Sequence, residues 1–384
     1  MALSIRICKS CVMPETKPDL TFDASGVCDA CRSAEKKRNN TIDWNKRRLE
    51  FESLLKKYKS KNGSNYDCLI PVSGGKDSTY QVHIIRNVYK LRPLCVCFEP
   101  TLPTSLGRKN LENLNNLGVD LIHIKRNPVV YRELVRKGFE RVGDNEWPNH
   151  VGIFTTPVQI AVAFNIPLII WGENPQDEYG GPAHSKEARI LDRRWLEEFG
   201  GLLGNRVEDM VDDDIQLSDL QLYVYPSDKE LHRVGVTGVY LGYFFPWDVP
   251  KQLNIVKKLG FSVKTDGPVE TTFTNFENLD CHSMSIHDYL KYLKYGFGRA
   301  TDHACMLVRN RVISRTEALG LVQKYDGNIP RDALSHFLAY LNISEKQFFA
   351  ICDRFTHPYI FKKTPSGKFV RDVTGNVVKH DYHY

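Results

Sequence analysis

The chain is predicted to fold as an α/β protein: a parallel sheet flanked by helices, with a small N-terminal zinc knuckle and a mostly helical C-terminal region. Three observations predict it. Between residues 66 and 171, short apolar runs alternate with segments of helical periodicity, the pattern of parallel strands joined by crossover helices. Two Cys-x-x-Cys pairs stand close together near the start of the chain. Beyond about Phe245 the alternation fades and helical patterning takes over.

The first element is the knuckle, residues 1–40. Cys8-x-x-Cys11 and Cys28-x-x-Cys31 are separated by sixteen residues, and Asp23-Ala24-Ser25-Gly26 supplies a turn between them. Four thiolates at that spacing can close a tetrahedral zinc site. So short a segment buries no useful core of its own, so metal would supply its folding free energy. A closed four-thiolate sphere leaves no place for substrate, which makes the site structural; a redox pair and an iron–sulfur cluster are the alternatives. Residues 41–62 are predicted to be a linking helix, with Trp44, Phe51, Leu55 and Tyr58 at helical spacing. Ten Lys or Arg fall within residues 36–61, but Glu35, Asp43, Glu50 and Glu52 accompany them. The pattern reads as a solvated helix face rather than a nucleic-acid stripe.

Residues 63–245 are predicted to form the sheet domain. Tyr66–Val72 reads as a buried strand, Ser73-Gly74-Gly75-Lys76-Asp77-Ser78 as a turn, and Thr79–Arg86 as a helix. Adjacent glycines allow positive φ and a close backbone approach to an anion. The amides that open the helix carry partial positive charge, which suits a pyrophosphate. Lys76 adds a cation, and Ser73 and Ser78 add hydroxyl donors. The phosphate loop of the common ATPases needs a glycine five residues before Gly75, where Ile70 stands. Further strands are expected at Pro93–Phe98, Val119–Ile124 and Leu168–Trp171, with helices at Thr104–Leu117, Tyr131–Val142 and Thr156–Asn165. Ligands of such sheets sit off the carboxyl ends of the strands, where Phe98, Glu99, Glu173 and Asn174 are expected. The polar run Gly172–Pro182 reads as a lid, with Glu173, Asp177 and Glu178 able to hold magnesium or orient an amine. Cys95 and Cys97 are read as lying on opposite faces of their strand, which argues against paired metal ligation.

In residues 246–384, Ser314–Glu317 and Ser344–Gln347 read as capping boxes before apolar helices. Tyr295–His303 breaks a helix with two glycines and presents Arg299 with Asp302 as its polar partner, a candidate anion site. Turns at Ser366-Gly367 and Thr374-Gly375 suggest a terminal hairpin.

Composition bounds the function. The 384 residues are 42% apolar with five tryptophans, enough for substantial cores. The net charge of +6, from 52 basic and 46 acidic residues, suits anionic small molecules better than a dedicated nucleic-acid binder. No secretory signal is visible at the start. Val151–Trp171 lacks charge but contains Pro157 and Pro167, so it reads as a helix then a strand, without membrane insertion. With ten cysteines and no signal, a reducing, cytoplasmic setting is expected.

Ser73–Ser78 resembles the PP-loop of the ATP pyrophosphatases, the adenine nucleotide alpha hydrolase-like fold. That resemblance implies attack on the α-phosphate of ATP, release of pyrophosphate and an adenylated oxygen. Together, the CxxC pairs, Ser73–Ser78, Gly172–Gly181, Gly296–Asp302 and Ile313–Ala318 resemble the N-acetyl sugar amidotransferases of bacterial surface-polysaccharide and nonulosonic-acid pathways. The resemblance implies conversion of a sugar acetamido group to an acetamidino group. It implies ATP and magnesium, and a nucleotide-linked or free acetamido sugar as substrate. It also implies ammonia from a separate glutaminase through a cyclase-like channel subunit. Lys76, Asp77 and Glu173 are then the catalytic candidates, with Asp77 or Glu173 on magnesium. Ser73 to Ser78 and Phe98 are expected to hold ATP, and Asn174, Arg299, Asp302 and Arg315 the substrate. Lys186 is a further cation for a carboxylate or diphosphate. Residue 2 is alanine and no cysteine sits in a Gly-x-Cys-x-Gly elbow, so a partner is expected to make the ammonia. Two alternatives stand beside this: a tRNA thiolase that adenylates a nucleobase, and a non-catalytic nucleotide-sensing scaffold.

Overall fold

The computed structural model describes residues 5–39, 42–173, 190–191, 202 and 204–380. Six strands form one sheet: β1 Cys68–Pro71, β2 Pro93–Phe98, β3 Asp120–Ile124, β4 Leu168–Trp171, β5 Ile190–Leu191 and β6 Thr237–Tyr240. Their order is β3-β2-β1-β4-β6-β5. All neighbours pair in parallel except β5, which runs antiparallel along β6. The chain steps outward from β1 to β3, then returns to the other side of β1 to lay down β4. The crevice between β1 and β4 is therefore the point where connections diverge, the usual seat of a ligand in such sheets.

Side chains one and two apart along the strands sort into two layers. Leu69, Leu94, Val96, Ile169 and Trp171 pack with Val158 and Ala161 of the helix Trp147–Ala163. Cys68, Ile70, Cys95, Cys97 and Ile170 pack with Phe51 and Leu55 of the helix Trp44–Tyr58 and with Val82, Ile85 and Leu111. The opposite-face reading of Cys95 and Cys97 is thereby corrected. Residues two apart on a strand share a face, and both thiols sit in the second layer.

Helix boundaries moved where glycine and proline obscured the pattern. The segment expected from Thr156 begins at Trp147 and runs through Pro157 to Ala163. Pro148 lies in its first turn, where no amide partner is needed. Gly152 lies on its packed side, where an added Cβ would stand 2.4 Å from the Phe98 ring. The helix expected from Tyr131 starts at Pro128, capped by Asn127, and continues as a π-helical turn over Gly138–Val142. Strand β6 was not anticipated. Thr237, Val239 and Tyr240 favour a strand, but the run is only four residues long and is interrupted by Gly238, and pairing with β4 holds it.

The C-terminal helices Ser283–Tyr295, Arg331–Leu341 and Glu345–Phe355 share a core with Tyr131, Leu134, Phe139 and Trp147 of the sheet region. Phe139 stacks on Phe348 at 5.3 Å between centroids. Each such fully buried side chain contributes about 1.5–3 kcal/mol. Both capping boxes form, Ser314 with Glu317 and Ser344 with Gln347. The tail carries the expected antiparallel bridges, Lys363 to Phe369 and Arg371 to Val377. Among the described residues no helix is long and apolar enough to cross a membrane.

Candidate active site

The loop after β1 turns on Gly74, whose φ is +83°, and Gly75 then caps the helix Lys76–Val82. A Cβ on Gly74 would stand 2.6 Å from the Leu111 amide nitrogen, so the loop lies directly against the helix Ser105–Asn113. Ser78 Oγ and Thr79 Oγ1 both donate to the Gly75 carbonyl, and the Gly75 amide donates to Ser73 Oγ at 3.3 Å. The hydroxyls thus stiffen the loop locally.

A cleft of about 260 Å³ opens over this loop. Ser73, Gly75, Lys76, Asp77, Ser78 and Phe98 line one side, and Asn149, His150, Glu277, Asn278 and Asp280 the other. Glu277, Asn278 and Asp280 of the far wall come from the C-terminal region, which the helix Ser105–Asn113 clamps in place, and Asn149 and His150 from the helix Trp147–Ala163. Asn110 exchanges two 2.8 Å hydrogen bonds with the Ser262 backbone, and the Thr104 amide donates to the Asp280 carbonyl. Gly107 makes this crossing possible, since a Cβ there would lie 2.4 Å from Asp280 Cα.

Lys76 is the electrostatic centre. It is almost fully buried, 2.8 Å from Asp77 and 3.0 Å from Glu277. Burial alone would depress its pKa, but the charges of Asp77, Glu277 and Glu173 hold it well above the ordinary lysine value. It therefore stays cationic inside the cleft. On the far wall, burial, with Glu146 and Glu277 nearby, pushes the Asp280 carboxyl up to about 6. Asn149 is 9% exposed and its Oδ1 has no hydrogen-bond partner among the described residues. A buried acceptor left open at a cleft wall is suited to meeting a ligand donor.

The other expected site residues divide. Glu173 lies at the end of β4, close enough to act on Lys76 electrostatically. Arg299 sits one layer behind the wall: its Nε is 3.2 Å from Asp288, and Asp288 accepts from Asn278 at 3.1 Å. Asp302 pairs with Lys291, and the Arg299 charge also acts on it. Arg315 is elsewhere: it donates to the carbonyls of Cys8 and Cys11, at 3.3 and 2.9 Å, and does not line the cleft. Asn174, Asp177, Glu178, Lys186 and the lid beyond Glu173 lie outside the described residues. Sequence reasoning missed Glu277, Asn278, Asp280, Asn149 and His150. None sits in a motif; the only hint was polar residues, Asn145–His150, leading directly into an uncharged stretch.

The four N-terminal cysteines are buried and close into one cage, with Sγ–Sγ distances of 3.9 Å for Cys8–Cys31 and 3.8 Å for Cys11–Cys28. Thiolates about 2.3 Å from one ion stand about 3.8 Å apart at tetrahedral angles, whereas a disulfide needs about 2.05 Å. The donor set fits a single ion. The amides of Cys11 and Cys28 donate to Cys8 Sγ, and Arg309 reaches Cys11 Sγ at 3.9 Å, so negative charge on the sulfurs is compensated. Cys95 and Cys97 are different: burial pushes both thiols up to about 12.

Residues 270–374 match the family model described as LPS biosynthesis protein WbpG-like, C-terminal domain. The resemblance to a surface-polysaccharide family therefore holds over the segment that contributes Glu277, Asn278 and Asp280 to the cleft. An uncharacterized protein of Methanocaldococcus jannaschii, MJ1599, is 28% identical over 137 residues, covering 34% of this chain. The chain spans about half the length of that relative, 47%. Among solved structures, the U34-tRNA thiolase NcsA of Methanococcus maripaludis, with its [4Fe-4S] cluster, is 11% identical with a TM-score of 0.26. That match covers 80% of this chain and 88% of the other. NMN synthetase of Francisella tularensis is 15% identical with a TM-score of 0.28, covering 51% of this chain and 83% of the other. At such TM-scores neither likeness bears on the chemistry.

Proposed function

We propose that the chain is an ATP-dependent, AMP-forming amidotransferase that converts a sugar acetamido group to an acetamidino group in bacterial surface-glycan, O-antigen-type biosynthesis. One observation carries the reading. The Ser73–Ser78 loop and the segment matched to an LPS-biosynthesis family face each other across one cleft, joined by the 3.0 Å Lys76–Glu277 pair.

The chemistry follows from the residues. An amide oxygen is a poor leaving group, so it must first be activated. Attack of that oxygen on the α-phosphorus of ATP forms the O–P bond, breaks the bond to the β-phosphate bridge and releases pyrophosphate. The loop amides and buried Lys76 stabilise the departing negative charge. The carboxylates of Asp77, Glu173 and Glu277 are the hard oxygen donors that would hold magnesium, whose charge would be shared with the phosphates. Ammonia then displaces AMP at the imidate carbon. All ten cysteines are free and buried, so the ammonia is assigned to a separate glutaminase, delivered through a cyclase-like channel subunit. The same burial weighs against the tRNA-thiolating alternative, which calls for a reactive thiol at the cleft mouth. The Cys8–Cys11–Cys28–Cys31 cage is assigned structural zinc.

The test is pyrophosphate release from ATP and magnesium with ammonium chloride and a panel of nucleotide-linked and free acetamido sugars, products followed by mass. The expected product has one oxygen replaced by NH, and Lys76→Met should slow pyrophosphate release by at least about 10²-fold. Pyrophosphate released only with tRNA and a sulfur donor would overturn the reading, as would ATP binding without release for any sugar.

A further inference from the structure

Behind the cleft wall lies a second constellation that ATP activation does not use. Asp144, in the turn before the helix Trp147–Ala163, is buried, with 2% of its surface exposed. Its Oδ1 is 2.8 Å from His287 Nδ1, and its Oδ2 is 3.8 Å from His150 Nδ1. The two imidazoles meet edge to face, 5.0 Å between centroids. His287 stands on the helix Ser283–Tyr295 within the family-matched segment, whereas His150 lines the cleft itself.

We propose that His150, oriented by Asp144, is the base that takes a proton from the nitrogen nucleophile after it adds to the activated carbon. This rests on the amidotransferase reading above and names the catalytic group for its second half. The Asp144 carboxylate, 3.8 Å from Nδ1, favours the proton on that nitrogen electrostatically, which leaves Nε2 as the acceptor. No hydrogen-bond partner occupies Nε2 among the described residues. In the step, the ammonia lone pair forms the C–N bond, giving an adduct that bears –NH3+. His150 Nε2 removes one proton from it. The C–O bond then breaks, AMP leaves with the electron pair, and a protonated amidine remains. The imidazolium afterwards releases its proton to solvent.

Charges from every packed element support a base rather than a metal ligand set. Burial would lower the pKa of His150, but Asp144 and Glu146 outweigh it and raise it, with Arg299 opposing. The Asp144 carboxyl would likewise be raised by burial, but His287 and His150 pull it well below the usual carboxylate range. Lys294 and Tyr295 also face Asp144. The Arg299 charge that reaches His150 also counts against a further divalent ion at this cluster. Asp144 and His287 are positioning residues, since neither lines the cleft.

The experiment uses the full chain with ATP, magnesium, ammonium chloride and the acetamido sugar that supports turnover. His150→Gln is expected to keep the single-turnover pyrophosphate burst while amidine formation falls about 10²–10⁴-fold. Hydroxylamine, whose adduct loses its proton more readily, should recover much of that loss. Asp144→Asn should move the acidic-limb pKa of amidine formation, which reports protonation of the base, downward. Equal slowing of both half-reactions by His150→Gln, or of neither, overturns the proposal. A substrate-free measurement stands beside it: the imidazole NMR titration of His150, expected above the ordinary histidine value and lowered in Asp144→Asn. An ordinary titration in both proteins overturns the proposal. So does a second bound metal ion, beyond that of the cysteine cage, that His287→Gln removes. A raised titration that Asp144→Asn lowers supports the relay even where no acetamido sugar is turned over; then the substrate reading alone falls.

Discussion

Replacing Gly74 by alanine separates what the loop needs for folding from what it needs for ligand. Two costs can be worked from the structure. Gly74 has φ +83°, a left-handed conformation that costs an L-residue about 1–2 kcal/mol. Its Cβ would lie 2.6 Å from Leu111 N and 2.8 Å from Leu111 Cα. Both are backbone atoms of a helix that also clamps the C-terminal region, so the clash cannot be relieved by a rotamer. Overpacking of that kind adds about 1–3 kcal/mol. At about 2 °C per kcal/mol for a large chain, Gly74→Ala should lower Tm by roughly 4–10 °C. Gly75→Ala is the control. Gly75 has φ −70°, and its Cβ would meet only Ser73 Oγ, at 3.3 Å, a side chain free to turn. It should melt with the wild type, while its added methyl on a cleft-lining residue weakens ATP binding about tenfold. Thermal scans and nucleotide titrations on the three proteins decide the matter. A Gly74→Ala protein that melts with the wild type would refute the reasoning.

Two further outcomes are expected. Arg315→Ala should loosen the cysteine cage, because its guanidinium holds the Cys8 and Cys11 carbonyls. Faster metal loss to a chelator, with ATP affinity unchanged, is the expected pattern; lost sugar affinity with intact metal retention would restore the substrate role read from sequence. The Asp144 cluster sets a pH dependence of stability. A depressed Asp144 carboxyl contributes stability above its unfolded value near 4 and loses it as pH falls through the folded one. A raised His150 contributes below about 6.5 and loses it as pH rises through its folded value. The Tm difference between wild type and Asp144→Asn should therefore peak between about pH 4 and 6.5, and a pH-independent difference would count against the ion pairs.

What could be read from the sequence was what is local. Strands β1 to β4, the loop at Ser73–Ser78, both capping boxes and the cysteine spacing each lie within a few consecutive residues, where propensity and periodicity act directly. The far wall could not be read that way. Glu277 meets Lys76 across two hundred residues of chain, and Asp144 meets His287 across 143. No spacing rule encodes such pairs; they exist because helix Ser105–Asn113 and the shared core around Phe139 and Phe348 bring distant segments together. Arg315 failed for the opposite reason. Its surroundings, Ser314-Arg315-Thr316-Glu317, formed as expected, but a helix start fixes a backbone direction and says nothing of what the side chain will meet.

The cysteine cage and the cleft are also linked through one helix, Arg299–Arg309. At its last turn Arg309 reaches Cys11 Sγ, and Ala304 and Cys305 pack among the cage residues. Its first turn carries Arg299, tied through Asp288 to the cleft residue Asn278. His303, also in this helix, is pushed by burial down to about 3, so it stays neutral, with Nδ1 hydrogen-bonded to Thr272 at 2.8 Å. A helix pinned at one end by the cage has little freedom to tilt at the other. The knuckle therefore matters to the cleft without touching ligand: it fixes the height of the helix on which Arg299 supports Asp288, and through Asp288 it fixes the wall that faces Lys76.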